Sequence, residues 1–253
     1  MLVTPIQTPL LRSGDDLLEA IRNSLGNIPE KSILVVSSKI VSTCEGRFVK
    51  KIEGTREEKH NLVRQEADRY TDPLESKYNM MLALKRNLLF VNAGIDESNA
   101  DNQYILWPKD PQRSTNALWT FVREHYGVKD FGVTIADSSS FMLSPGVIGR
   151  AIAHCGFNPL RSYVGTQDLY GKIMQMEQTN VMQSVTDAAV LEMGEGDECT
   201  PMALVSDFHQ KIEFLDHVPT DEELKKIQIS IEDDVYYPLL KDAKWHTGGG
   251  LLS

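Results

Sequence analysis

Four short apolar runs constrain this chain more than any other feature: residues 32–36, 88–91, 131–136 and 201–205. Each is shorter than an ordinary helix and stops in a polar or turn-forming stretch, so each reads as a buried strand. Helical signals lie between them. Ser13-Gly14-Asp15-Asp16 precedes Leu17, Leu18, Ala20, Ile21 and Leu25, a helix start with acidic residues at its positive end, and Gly26 and Pro29 end it. The highly charged residues 56–70 predict an exposed helix, and 78–85 a second, more apolar helical piece. Over 114–126, Ala117, Leu118, Phe121 and Val122 form a stripe that Ser114 caps and Gly127 closes. Residues 181–193 predict a helix with Val181, Val185, Ala188 and Ala189 on one face. A further strand is expected at 173–177, a capping-box helix at 221–228 and a flexible tail at Gly248-Gly249-Gly250. Strands and helices are interspersed without a steady βαβ rhythm, which favours an α+β (mixed α/β) fold over a doubly wound sheet.

Composition narrows the function classes. The formal charge of −10 over 253 residues argues against general binding of nucleic acid or anionic membranes. Nucleotides remain open, because they need only a local positive or metal-bridged pocket. Cys44, Cys155 and Cys199 share no CxxC spacing and read as reduced thiols. Met1-Leu2-Val3-Thr4-Pro5 has neither a basic region nor a long apolar stretch, and no run reaches the roughly 18 apolar residues of a membrane helix. A cytoplasmic location is the expectation.

The strand ends carry the chemistry. The run 88–91 stops in Asn92-Ala93-Gly94-Ile95-Asp96-Glu97-Ser98-Asn99, where glycine permits a sharp turn and polar groups follow. The run 131–136 enters Asp137-Ser138-Ser139-Ser140, and a helix end presents Glu195 between Gly194 and Gly196. Such carboxylates suit a Mg²⁺ or Mn²⁺ site that bridges phosphates, and each alone equally suits a cap or a turn. Ser37-Ser38-Lys39 follows another strand, and Lys39 offers a point charge for a phosphate or an ordinary surface lysine. There is no GxxxxGK[ST] loop, no GxSxG elbow and no metal spacing among the six histidines. Met174, Met176, Met182 and Met193 read as core filler.

Taken in order, these segments resemble the coenzyme F420-0:γ-glutamyl ligase family. The likeness runs from Val3 to Asp207. It is carried by Pro9-Leu10-Leu11-Arg12-Ser13-Gly14-Asp15-Asp16-Leu17, by Val35-Val36-Ser37-Ser38-Lys39-Ile40-Val41-Ser42 with Glu45-Gly46-Arg47, and by the Asn92 to Asn99 segment. Ile135-Ala136-Asp137-Ser138, Leu160-Arg161-Ser162-Tyr163-Val164-Gly165 with Asp168-Leu169-Tyr170-Gly171, and Met193-Gly194-Glu195 complete it. The resemblance implies a ligase domain at 1–208, a C-terminal extension at 209–253 and an intertwined homodimer. It also implies an amide ligase that uses GTP or ATP with Mg²⁺ or Mn²⁺ and joins L-glutamate to an acceptor through an acyl phosphate. By the family pattern Asp96, Asp137, Ser138 and Glu195 look like metal ligands. Ser38, Lys39, Asn99 and the turn Thr8-Pro9-Leu10-Leu11 look like nucleotide contacts, and Asp96, Asp137 and Lys39 look catalytic. Arg161 and Asp168 have either a family role or a structural one.

Departures from the pattern bear on the acceptor. The family usually has Leu-Pro-Glu-Ile where Thr8-Pro9-Leu10-Leu11 stands, and a lysine where Thr43-Cys44 precedes Glu45. The usual Asp-Thr-Phe-Gly-Arg-Pro is replaced by Asp137-Ser138-Ser139-Ser140-Phe141-Met142-Leu143-Ser144-Pro145, which lacks the arginine; Arg150 is a candidate substitute. Two lost cationic positions suggest altered acceptor or nucleotide recognition. Relatives with this kind of divergence look like bacterial γ-glutamate ligases assigned to folate metabolism, and that resemblance implies a folate- or pteroate-type acceptor in place of F420-0. The alternative is a non-catalytic nucleotide- or folate-binding member of the family.

Overall fold

A computed structural model describes residues 1–252. From the N-terminus it runs β1 (Leu2–Ile6), α1 (Leu17–Ser24), β2 (Ser32–Ser37), α2 (Ser38–Cys44), β3 (Phe48–Lys50), α3 (Arg56–Glu66) and β4 (Arg69–Tyr70). It continues through β5 (Leu82–Lys85), β6 (Leu88–Val91), β7 (Gln103–Ile105), α4 (Pro111–Tyr126), β8 (Phe131–Ser140), β9 (Val147–Cys155), β10 (Leu160–Ser162) and β11 (Gln178–Asn180). The last elements are α5 (Val181–Met193), β12 (Met202–Ser206), α6 (Asp221–Lys225), α7 (Tyr237–Leu240) and β13 (His246–Thr247). This is the mixed α+β architecture expected. No helix among the described residues is long and apolar enough to cross a membrane.

The main sheet has the order β1-β12-β2-β8-β9, with β2 and β8 parallel and every other pair antiparallel. Strand periodicity of two divides its side chains between two cores. Leu34, Val36, Val133, Ile135 and Met202 face a core closed by Ile21 of α1 and Leu118 and Val122 of α4. Ile33, Val35, Ala136, Ala203 and Val205 face Val185, Ala189 and Met193 of α5. Each fully buried aliphatic side chain contributes about 1.5–3 kcal/mol, so a one-residue slip of β2 would exchange both faces and is strongly disfavoured. The β8–β9 ladder shifts register between Ile135 and Ala136, where Ile152 of β9 is left unpaired, one residue before Asp137.

A second set of strands, β13-β4-β5-β6 with the pair β3-β7, packs Ala83, Ile95 and Tyr104 against Val63 of α3. Here the structure departs from the sequence expectations. Residues 78–85 are not helical; β5 pairs with β6 as a hairpin, Leu82 opposite Val91. Its two-residue turn places Arg86 (φ 50°) and Asn87 (φ 62°) in the left-handed region, the geometry that matches strand twist. The regular strand expected at 173–177 lies instead at 178–180, opposite β10. Residues 173–177 form a loop with one bridge, Gln167 to Ile173. Met182 and Met193 are core residues, whereas Met176 is 89% exposed. Helix α4 begins at Pro111 and is capped by Asp110, whose carboxylate accepts from the Arg113 N–H; Ser114 donates to Glu45 at 2.6 Å. The glycine tail is docked: Gly248 N–H donates to Asp68 O and Gly250 N–H to Ala67 O, both at 2.9 Å. The extension also packs on the body through Ile212, Phe214 and Ile227.

Candidate functional site

One cleft of about 390 Å³ lies at the end of β2 and β8, between the main sheet and the turn that follows β6. It is lined by Thr8, Pro9, Leu10, Leu11, Ser38 and Lys39 from the N-terminal half. Asp96, Asn99, Asp137, Ser138 and Glu195 complete it, so every residue expected to hold the metal or the nucleotide reaches the same cavity. The parallel strands explain this convergence. Ser37 pairs with Ala136, so Ser38, where β2 gives way to α2, comes beside Asp137 of β8.

The turn carrying Asp96 is built on three consecutive left-handed residues, Asn92 (φ 51°), Ala93 (φ 54°) and Gly94 (φ 70°). Asn92 Oδ1 accepts from the Met81 N–H at 3.0 Å, and the Asp96 backbone pairs with Ile105 in both directions. Gly94 is required for a second reason: a Cβ there would lie 2.0 Å from Trp107 Nε1. The Asp96 carboxylate meets Lys39 Nζ at 2.7 Å and accepts from the Ser98 N–H at 2.9 Å and from the Ser98 hydroxyl. Partial burial opposes its ionisation, but hydrogen bonds from Lys39 and Ser98 outweigh that and hold the carboxyl below the usual range.

Asp137 is the opposite case. Burial pushes its pKa up to about 6, the charge of Asp96 adds to the rise, and hydrogen bonds from Trp107, the Ser138 N–H and Ser38 only partly counter it. Trp107 Nε1 donates to Oδ2 at 2.6 Å and the Ser138 N–H to Oδ1 at 3.0 Å. Glu195 is raised by desolvation, against a hydrogen bond from Ser138 and the charge of Lys39 and together with the charges of Asp96 and Glu198. Gly194 precedes it with φ 77° and ψ 171°, a conformation open essentially to glycine alone. Asn99 Nδ2 donates to Gly196 O at 3.0 Å and so ties the Asp96 turn to the Glu195 loop.

The donor set is all oxygen and largely anionic, which suits a hard divalent cation. Among the described residues no three His, Cys, Asp or Glu side chains form a ready cage for a metal. Lys39 takes up the Asp96 carboxylate instead.

Other expected residues fall outside the cleft. Arg150 donates to Leu89 O at 2.8 Å and lies over the Phe90 ring, so it does not replace the missing arginine. Arg161 and Asp168 do not pair: Arg161 donates to Gln210, and Asp168 accepts from the Tyr170 and Lys172 N–H groups of its own turn. Sequence reasoning missed Trp107, Ser98 and Glu198. The one available signal was Ser98 two residues after Asp96, the spacing of a local Asx-type turn.

A sequence profile of the family described as F420-0:Gamma-glutamyl ligase matches residues 5–207. Among curated proteins the chain is similar to the coenzyme F420:L-glutamate ligase of Archaeoglobus fulgidus, 30% identical over 94% of this chain and 97% of the relative. It is also similar to the protein of that name from Methanopyrus kandleri, 31% identical over 80% of this chain and 85% of the relative. With a profile match across most of its length, the chain belongs to the F420-0:gamma-glutamyl ligase family.

Proposed function

We propose that this protein is a nucleoside triphosphate-dependent γ-glutamyl ligase that forms an amide between L-glutamate and the carboxylate of an acceptor. The observation that carries the reading is the convergence of Asp96, Asp137, Ser138, Glu195, Lys39, Ser38, Asn99 and the Thr8 to Leu11 turn on one cleft. In the first step an acceptor carboxylate oxygen attacks the γ-phosphorus of GTP or ATP. A mixed acyl phosphate forms and the nucleoside diphosphate leaves. In the second step the glutamate amine attacks the acyl carbon, the C–O bond to phosphate breaks, and an amide and inorganic phosphate result with loss of the amine proton. Such chemistry depends mainly on positioning and on neutralising phosphate charge.

Asp96, Asp137, Ser138 and Glu195 would hold Mg²⁺ or Mn²⁺, which supplies that neutralisation when bound. Lys39 has three donors, enough to keep Asp96 and face a phosphate together. Thr8 to Leu11, Ser38 and Asn99 contact the nucleotide.

Lys39 is the only lysine or arginine among the described residues that line the cleft. Thr43, at the expected lysine position, donates its hydroxyl to Lys39 O at 2.7 Å. A cation-poor cleft suits a folate- or pteroate-type acceptor better than F420-0, whose phosphodiester adds negative charge. The names of the relatives favour F420-0 as the second reading. The exposed side chains of Leu143, Leu169 and Tyr170 support a homodimer.

Mass spectrometry tests the assignment. Dihydropteroate and F420-0 are offered in parallel with glutamate, Mg²⁺ or Mn²⁺, and ATP or GTP. The expected product is dihydropteroate heavier by one glutamyl unit. Gain on F420-0 alone would replace the acceptor, and no gain on either would favour a non-catalytic binding protein.

A further inference from the structure

Trp107 is 2% exposed, and everything it touches serves to fix its ring. Arg47 Nε donates to its carbonyl at 3.0 Å, and the Arg47 carbonyl accepts from the Leu106 N–H at 3.0 Å. Lys85 Nζ lies 5.3 Å from the centre of the indole. Both cations end on Glu66: Lys85 at 2.6 Å, and Arg47 through Nη2 at 2.9 and 3.0 Å. Phe90 meets the indole edge-on with centroids 4.8 Å apart, and Gly94 leaves room for Nε1. The single polar atom of the side chain points at Asp137 Oδ2.

A cluster of one anion and two cations is costly to bury, and a hydrophobic replacement would often serve stability as well. Its placement has a directional consequence. A cation over the face of an indole draws on the ring's electron density and strengthens its N–H as a donor. Behind Asp137 there is thus a built support: Glu66 orders Lys85 and Arg47, these fix Trp107, and Trp107 fixes Oδ2 of Asp137 while Oδ1 accepts from the Ser138 N–H.

We propose that Trp107 is a positioning residue that aims Asp137 at the cation, and that the Glu66–Lys85–Arg47 cluster holds Trp107 for that task. The proposal rests on the ligase reading in that Asp137 serves a divalent cation. Partners that orient a metal-binding carboxylate typically matter 10–100-fold in metal affinity.

The test is Mn²⁺ affinity, measured by electron paramagnetic resonance on the full chain with GDP or ADP present, for wild type, Trp107→Phe and Lys85→Met. Trp107→Phe keeps an aromatic ring and removes the N–H. It is expected to raise the Mn²⁺ dissociation constant about tenfold while leaving nucleotide affinity in EDTA unchanged. Lys85→Met is expected to raise it roughly threefold. If Trp107→Phe does not fold, Lys85→Met decides. Wild-type Mn²⁺ affinity in folded variants overturns the proposal and leaves the ligase reading standing. No Mn²⁺ binding by the wild type overturns the metal reading and the proposal with it.

Discussion

Asp96 and Asp137 line the same cleft, yet the protein holds them in opposite electrostatic states. Asp96 is surrounded by donors, Lys39 and Ser98 among them, and stays ionised. Asp137 has an indole N–H, the Ser138 N–H and Ser38 against strong desolvation and a like charge, and its pKa is raised to about 6. The difference comes from the elements that carry them. Asp96 sits in a turn whose backbone and side chains fold back on its carboxylate; Asp137 lies within the strand β8, where desolvation outweighs the donors that reach it. One carboxylate is favoured in its ionised form and the other is disfavoured by its burial. A carboxylate in that state is a functional-site candidate on physical grounds.

The largest expected effect comes from removing the buried carboxylate. Asp137→Asn should lower glutamyl transfer at least about a hundredfold while the far-ultraviolet circular dichroism stays native. Near wild-type turnover in that variant would remove Asp137 from the chemistry. Next is the contact that links the two sites. Gly94→Ala puts a methyl 2.0 Å from Trp107 Nε1 at a left-handed position. It should cost about 2–4 kcal/mol in denaturant unfolding, and a neutral result would mean that Trp107 moves freely.

The pH dependence of the cation-free protein sharpens the comparison, because the two groups have opposite signs. Asp137 has a folded pKa above its unfolded value, so it favours the folded state at low pH. That contribution, at most about 3 kcal/mol, is lost as pH rises from the ordinary carboxylate range through about 6. Asp96 has a lowered pKa, so its contribution is present above the ordinary carboxylate range and is lost as pH falls through its folded value. In EDTA, Asp137→Asn should flatten the first slope and Asp96→Asn the second, as read from urea midpoints. Identical profiles in both variants would contradict the contrast. The smallest effect belongs to residues placed outside the cleft: Arg161→Ala and Asp168→Ala should change stability by about 0.5 kcal/mol or less and leave turnover unchanged.

The sequence made the site more legible than the fold around it. Asp96, Asp137 and Lys39 follow short apolar runs, which can be read locally, although β8 itself continues past Asp137 to Ser140. The parallel pairing of β2 and β8, which places Ser38 beside Asp137, is a long-range fact that no local window contains. The hairpin at 82–91 was hidden because Arg86-Asn87 lacks the glycine that usually marks such a turn. The docked tail was hidden for a related reason. Gly248 and Gly250 read as flexible, yet a side chain at either would collide with the backbone at the end of α3. Trp107 carried no motif at all. Its role comes from Glu66, Lys85 and Arg47, which are dispersed in sequence and meet only in the packed structure. Even Glu45 and Arg47, within a stretch that carries the family resemblance, reach Ser114 and Trp107 and do not themselves line the cleft.

The central claim is that one divalent cation joins these two unlike carboxylates. Anomalous scattering from a crystal grown with Mn²⁺ and a nucleotide tests it directly. A single manganese peak in the cleft, in contact with both Asp96 and Asp137, is the expected result. A cleft without manganese, or manganese bound elsewhere with Lys39 still the partner of Asp96, would contradict it.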